Sequence, residues 1–239
     1  MGQADIHLHT SASDGMMSPA MVLNYVAAVT PLDLVVITDH NTQKGYHLAR
    51  EFCDRPSNDH LHDLTLIPGI EVSSRDGHIL GLNVSSPIPR DLSAAETVAA
   101  IHEAGGLACA PHPYAWLPWL QDFSGVGDRF LELPFDAVET RNSTPSEILH
   151  NPRVVRRNRR RHPPLAVCGG SDSHFLWAIG RTWTDYEGRG WEAFARSVRE
   201  RRTKARGLTW GPVSLWRYFV DKRRWRLFCA QHGVRLHDL

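Results

Sequence analysis

The chain has 239 residues, 42% of them hydrophobic, and a formal net charge of +1. That suffices for one large core or two small ones, and no apolar run reaches the roughly 20 residues a membrane-spanning helix needs. The neutral total hides a polarity: residues 1–145 carry 7 Lys and Arg against 18 Asp and Glu, residues 146–239 carry 20 against 8.

The N-terminus lacks a basic stretch followed by an apolar one, so no export signal is expected. Cys53, Cys109, Cys168 and Cys229 are scattered without C-x-x-C spacing, as in a cytoplasmic protein with reduced thiols. The acidic part would suit bound cations and the basic part a phosphorylated or polyanionic substrate.

In chain order, strand-like runs alternate with helical ones. Strands are expected at Asp5–His9, Leu34–Thr38, Leu64–Val72, Gly77–Val84, Leu107–Ala110, Ala137–Glu139 and Leu165–Cys168. Ser18 and Pro19 can open a helix to Val29, as N-cap and first helical residue. Asn41 or Thr42 can cap a second, to about Phe52. Ser93 with Glu96 forms a capping box for a third, closing near Gly105 and Gly106. Further helices are expected at Ser146–Arg161, Trp191–Arg202 and Val213–Cys229. The alternation implies an α/β fold with a largely parallel sheet, and polar residues just past the strand ends point to a barrel. The division expected is a barrel over residues 1–210 and a helical extension over 211–239, packed on its outside.

Chemistry-bearing residues gather at these strand ends. His7 and His9 alternate in an extended run and so share a face. Asp14 follows in the next loop, the second strand ends in Asp39-His40, and the third in Glu71, whose apolar run demands a compensating charge. His78, His112, Asp172 and His174 complete the series. Imidazoles mixed with carboxylates suit Zn, Mn or Fe rather than a structural zinc finger. Nine candidate ligands are too many for one ion and suffice for two or three, an arrangement suited to hydrolysis by a metal-generated hydroxide.

The ordered motifs Asp5-x-His7-x-His9-Thr10, Ser13-Asp14-Gly15, Thr38-Asp39-His40-Asn41, Gly69-x-Glu71, Gly77-His78-x-Leu80-Gly81, Pro111-His112-Pro113 and Gly170-Ser171-Asp172-Ser173-His174 together resemble the PHP (polymerase and histidinol phosphatase) family. The resemblance runs from residue 5 to about 182. It implies a distorted seven-stranded β/α (TIM-like) barrel with a trinuclear metal centre at the strands' C-terminal ends. It also implies that His7, His9, Glu71 and Asp172 hold one ion. Glu71 would bridge to a second, completed by His78 and His112, and Asp14, His40 and His174 would hold the third. Asp39 is expected to orient an imidazole rather than touch metal.

Asn142, in Glu139-Thr140-Arg141-Asn142, and Arg181, after the last motif, are expected to contact substrate. The arginine run 153–161 reads as a solvated helix face, and Trp191, Trp210, Trp216 and Trp225 as packing on outer helices. His47, His60, His62, His102, His150, His162, His232 and His237 lack motif partners.

The expected activity is that of a phosphoesterase acting by a metal-bound hydroxide on a nucleotide or other small phosphomonoester. The alternative is a 5′–3′ exonuclease on short oligonucleotides. A non-catalytic metal-binding regulatory module is the reading from another class, disfavoured because such a module needs no open multinuclear coordination. No membrane association and no obligate protein partner are expected.

Overall fold

A period of two along the strands decides the architecture. The computed structural model describes residues 1–115 and 124–232. Its strands are β1 (Gly2–Leu8), β2 (Leu34–Ile37), β3 (Thr65–Ser74), β4 (Gly77–Leu82), β5 (Leu107–Ala110), β6 (Ala137–Asn142), β7 (Ala166–Gly170), β8 (Thr182–Tyr186) and β9 (Lys204–Gly207). They form one sheet in the order β7-β6-β5-β4-β3-β2-β1-β8-β9. Strands β1 to β7 follow one another round a ring, which is joined where β1 meets the residues after β7. There the Asp172 N–H donates to the His7 carbonyl at 2.9 Å and the His9 N–H to the Ser173 carbonyl at 3.0 Å. The result is a nearly closed barrel, with β8 and β9 continuing beyond β1 as an antiparallel extension.

Nine strands replace the seven expected. The sheet is also less parallel than the alternation implied. The pairs β1–β2, β2–β3, β5–β6 and β6–β7 are parallel, whereas β3–β4 and β4–β5 are antiparallel. The cause is local. Only Arg75 and Asp76 separate β3 from β4, a hairpin too short for the crossover that parallel strands need. Gly77, at φ +125°, takes the backbone conformation that closes it.

Alternate residues fill the barrel. Ile6, Leu34, Val36, Ile67, Leu80, Leu82, Leu107, Cys109, Ala137, Ala166 and Cys168 form one buried cluster. Phe194 and Val198 of helix α6 (Gly190–Arg199) join it, with Tyr186 edge-on to Phe194 at 5.4 Å, so α6 plugs the end where β1 begins. The opposite strand faces bury against helices. Val35, Ile37 and Leu66 pack with α1 (Pro19–Val29) and α2 (Lys44–Cys53), and Ile70, Ile79 and Ala108 with α3 (Ala94–Glu103). Each such apolar side chain removed from water contributes about 1.5–3 kcal/mol.

The Ser18 cap with Pro19 and the Ser93–Glu96 capping box stand as expected. Helix α2 opens at Gln43 instead of Asn41 or Thr42, because Asn41 takes φ 55°. The expected helix 146–161 divides into a 3₁₀ turn (Pro145–Ile148) and α5 (His150–Asn158). A single helical turn, α4 (Arg129–Glu132), precedes β6. The last helix, α7 (Pro212–His232), meets the 175–177 turn: Tyr218 lies 5.2 Å from Phe175, and the Trp177 indole N–H donates to Asp221 at 3.0 Å. The side chains of Trp225 and Cys229, and residues 233–239 with His237, lie outside the described residues.

Candidate metal centre

The same period that fills the barrel places polar groups at its rim. Leu34-x-Val36-x-Thr38 leads to His40, Ile67-x-Gly69 to Glu71, Ala137 to Glu139, and Ala166-x-Cys168-x-Gly170 to Asp172. Strand β4 runs the other way, so its rim residue, His78, stands at the strand's beginning. In β1 a register shift between Asp5 and Leu8 allows Ile6 to join the apolar filling while His7, its neighbour, reaches the rim.

All nine candidate ligands converge. Glu71 is the hub, buried to 1% exposure: Oε1 lies 3.0 Å from His78 Nδ1 and 3.2 Å from His112 Nε2. Its Oε2 lies 3.3 Å from His7 Nε2, 3.2 Å from His9 Nε2 and 3.3 Å from His40 Nδ1. Asp172 Oδ1 lies 3.4 Å from His9 Nε2 and 3.6 Å from His7 Nε2. Asp14, at the mouth, lies 3.0 Å from His174 Nε2, 3.6 Å from His9 Nδ1 and 3.8 Å from His40 Nε2.

Four groups of side chains have ligand atoms all within 4.8 Å of one another. They are His9 with Asp14, His40 and His174; His7 with Glu71 and His112; His7 with His9 and Asp172; and His40 with Glu71 and His78. Compared with the expected partition, His9 is shared with the Asp14 group and His40 with the Glu71–His78 group.

Electrostatics tie the cluster together. Burial would raise the Glu71 carboxyl, but the imidazoles of His78, His40, His7 and His112 hold it well below the usual range. Burial opposes charge on His9 and His112, yet Asp172 and Glu71 push His9 up to about 10, and Glu71 pushes His112 up to about 9. Burial, against the pull of Glu71, takes His40 down to about 4. Buried nitrogens of His9, His40 and His78 face these carboxylates without an aligned hydrogen bond. Imidazole nitrogens and carboxylate oxygens converging, several of them without an aligned hydrogen bond, are a donor set that fits divalent metal ions.

The surrounding residues depart in part from expectation. Among the described residues Asp39 orients no imidazole; its carboxylate accepts from the Thr10 N–H at 2.7 Å, the Thr10 hydroxyl at 2.7 Å and the Ser13 hydroxyl at 2.6 Å, fixing the loop that carries Asp14. A Cβ on Gly45 would collide with the Asp39 carboxylate. The Asn142 amide nitrogen donates to Asp172 at 3.2 Å and Glu139 at 3.1 Å, and its oxygen accepts from Thr144, so Asn142 is a brace rather than an open substrate contact. The Arg181 guanidinium lies 6.0 Å from the Trp177 ring centroid.

Sequence reasoning places Glu139 in the rim motif but gives it no role of its own. Fully buried, it accepts from His7 Nδ1 at 3.0 Å and from the His112 N–H at 3.0 Å. Its period-2 position above Ala137 was the available signal. Asp5, the first residue of the first motif, is likewise a buried acceptor that no spacing rule singles out. Burial raises its carboxyl to about 6 against hydrogen bonds from Ser171, Gly180 and His7.

This fold and donor set define a centre built to hold divalent metal ions at the rim of a barrel. The chain belongs to the PHP family. Residues 150–203 match the model of the PHP-associated region. The uncharacterized protein MJ1587 of Methanocaldococcus jannaschii is 32% identical over 70% of this chain and 96% of its own length. The 5′-3′ exoribonuclease Rnm of Salmonella typhimurium is 35% identical, but over only 39% of this chain and 32% of its own. A 3′,5′-nucleoside bisphosphate phosphatase of Chromobacterium violaceum is 29% identical over 45% and 41%.

Two solved structures share the fold. PsfC from Pseudomonas syringae aligns with TM-score 0.66 and 17% identity over 94% of this chain and 99% of its own. A two-domain protein from Bacteroides vulgatus, containing a predicted PHP-like metal-dependent phosphoesterase, aligns with TM-score 0.62 and 19% identity over 86% and 64%. Among the described residues no helix is long and apolar enough to cross a membrane.

Proposed function

We propose that this chain hydrolyses the phosphate ester of a nucleotide or other small phosphomonoester at a centre of two or three divalent transition-metal ions, Zn, Mn or Fe. His7, His9, Asp14, His40, Glu71, His78, His112, Asp172 and His174 would hold them, with Glu71 shared between ions. Bound ions supply an activated water-derived nucleophile and a clamp for the attacking and leaving oxygens. The chain's own residues do the rest. Glu139 fixes the ring of His7, Asn142 fixes Asp172, and Asp39 fixes the loop of Asp14. Arg181 is the proposed cation toward the phosphate.

The observation that carries this reading is the Glu71 carboxylate ringed by five imidazoles within 3.3 Å. So many nitrogen donors around one buried carboxylate suit a shared cation far better than a packing role. A second reading, removal of nucleotides from the 5′ end of a short oligonucleotide, is supported by the partial match to Rnm, of which the chain spans about a third.

The deciding experiment assays protein purified without chelator on a panel of phosphomonoesters and on 5′-phosphorylated di- to pentanucleotides. Hydrolysis of the monoesters supports the first reading and hydrolysis confined to oligonucleotides the second. Failure of every phosphoester after metal reconstitution overturns both.

A further inference from the structure

A groove of about 650 Å³ opens beside the metal centre. One wall is Met16 and Met17 of the first loop with Met21 and Tyr25 of α1; the other is Phe175, Leu176 and Trp177 with Arg217, Asp221 and Arg224 of α7. Its walls adjoin the site through the backbone. The Met16 N–H donates to the carbonyl of His174 at 3.0 Å, and Phe175 follows His174 in the chain. Helix α7 is fixed at this rim. Trp210, just before it, donates its indole N–H to Ser143 at 3.0 Å, and Ser143 adjoins Asn142. Tyr218 against Phe175 and Asp221 beneath the Trp177 indole hold its first turns in place.

The lining combines two chemistries. Thioethers and aromatic rings are soft, polarizable surfaces that accept a flat heterocycle without demanding a hydrogen-bond pattern. Guanidiniums line the same groove: Arg217 lies 5.3 Å from the Trp177 ring centroid and 3.6 Å from the Asp221 carboxylate, and Arg224 is exposed on the lining. A sugar phosphate would leave the apolar wall wet, and a purely apolar ligand would leave the exposed Arg224 beside it unanswered. A nucleotide satisfies both.

We infer that this groove is a nucleoside-binding subsite, in which Met16, Met21 and Trp177 receive the base and Arg217 and Arg224 a neighbouring phosphate, so that the substrate is a nucleotide or an oligonucleotide end. The inference rests on the phosphoesterase reading and narrows it. It also gives α7 a functional part: the helix supplies one wall of the substrate site.

The test compares adenosine 5′-monophosphate with ribose 5-phosphate, which offer the same phosphoester and differ only by the base. Apparent affinity is read as KM where a compound is turned over and as an inhibition constant where it is not. Stacking of one base on such a surface corresponds to a preference of about 5- to 150-fold for the nucleotide. In Met21→Glu combined with Arg224→Gln, both exposed positions, the ratio should fall toward one. In Arg223→Gln, beside the groove, it should persist. A ratio near one in the unsubstituted protein, or a preference that survives the double substitution, overturns the subsite. Absence of all phosphoester turnover in the unsubstituted, metal-loaded chain instead overturns the phosphoesterase reading, and the ratio of the two compounds' dissociation constants, measured by calorimetry, still tests the groove.

Discussion

Glu139 Oε1 stands 3.0 Å from Nδ1 of His7, on the side of the ring away from the Glu71 contact at Nε2. The pairing is allowed by Gly170, where a Cβ would strike both the Glu139 carboxylate and His7. A carboxylate there fixes the tautomer and raises the basicity of the other nitrogen. Glu139→Gln should therefore weaken metal affinity about 10- to 100-fold, as loss of such a partner does in other metal sites. Metal titration of the variant checks this, and unchanged affinity would reduce Glu139 to a packing residue.

The nine converging ligands lead to an expected content of two to three transition-metal ions per chain. Elemental analysis after reconstitution tests it. One ion or fewer would refute a multinuclear centre.

Glu71→Gln keeps the shape of the hub and removes its charge. Turnover should fall at least ~100-fold, in line with loss of a clamp between two cations. His47→Ala, exposed on α2, should leave rates within about twofold. Equal losses in the two variants would mean that the chemistry lies elsewhere.

The pH dependence of stability should differ between metal-stripped and metal-loaded protein. His9, at about 10, and His112, at about 9, both lie above the unfolded value of 6.5. Protons on these rings then stabilise the folded metal-stripped chain fully below about pH 6.5, and that contribution disappears as pH rises through 9 to 10. Thermal midpoints should fall across this window in stripped protein. Cations compete with those protons, so the loaded protein should hold or gain stability there. Parallel curves for the two forms would contradict the exchange.

Helix α5 bears on the arginine run. Asn151 near its start bonds the backbone of Asn142 at the rim, and Asn158 at its end bonds the backbone of Leu165, ahead of β7. Its later arginines thus lie toward the far end of the barrel, and Arg157 is engaged by Asp128 at 2.6 Å. Replacing Arg156, Arg157, Arg159 and Arg160 with Gln should change neither oligonucleotide nor monoester turnover. A shallower salt dependence of oligonucleotide binding in the variant, by about 0.7 in log–log slope for each phosphate no longer neutralised, would show that the run meets nucleic acid.

Much of this was legible because the polar residues obey the strand period. His40, Glu71 and Asp172 continue alternations whose earlier members are apolar, so one rule yields both the barrel filling and its rim. Strand β8 escaped because its inward residues, Thr182 and Thr184, are polar; their hydroxyls satisfy the carbonyls of Gly170 and Gly169, which sequence alone does not disclose. Strand β9, Lys204-Ala-Arg-Gly, is an edge that buries no large apolar side chain. The contacts of Asp39 and Asn142 differ from those expected for a shared reason. Proximity to a ligand in the chain says nothing about which way a short polar side chain turns.

The seam that joins β1 to the residues after β7 brings together groups from opposite ends of the barrel-forming sequence. The backbone of His7 and His9 bonds that of Asp172 and Ser173. During synthesis a chain that has emerged only to β6 holds His7 and His9 without Asp172 and His174. The full constellation arises only when a loop of more than 160 residues has closed. An ion that recognises the complete set would bind the closed barrel and not its precursors, and would drive closure by mass action. The ions held with Asp172 or His174 would then be the last to load, a clasp set after the garment is made.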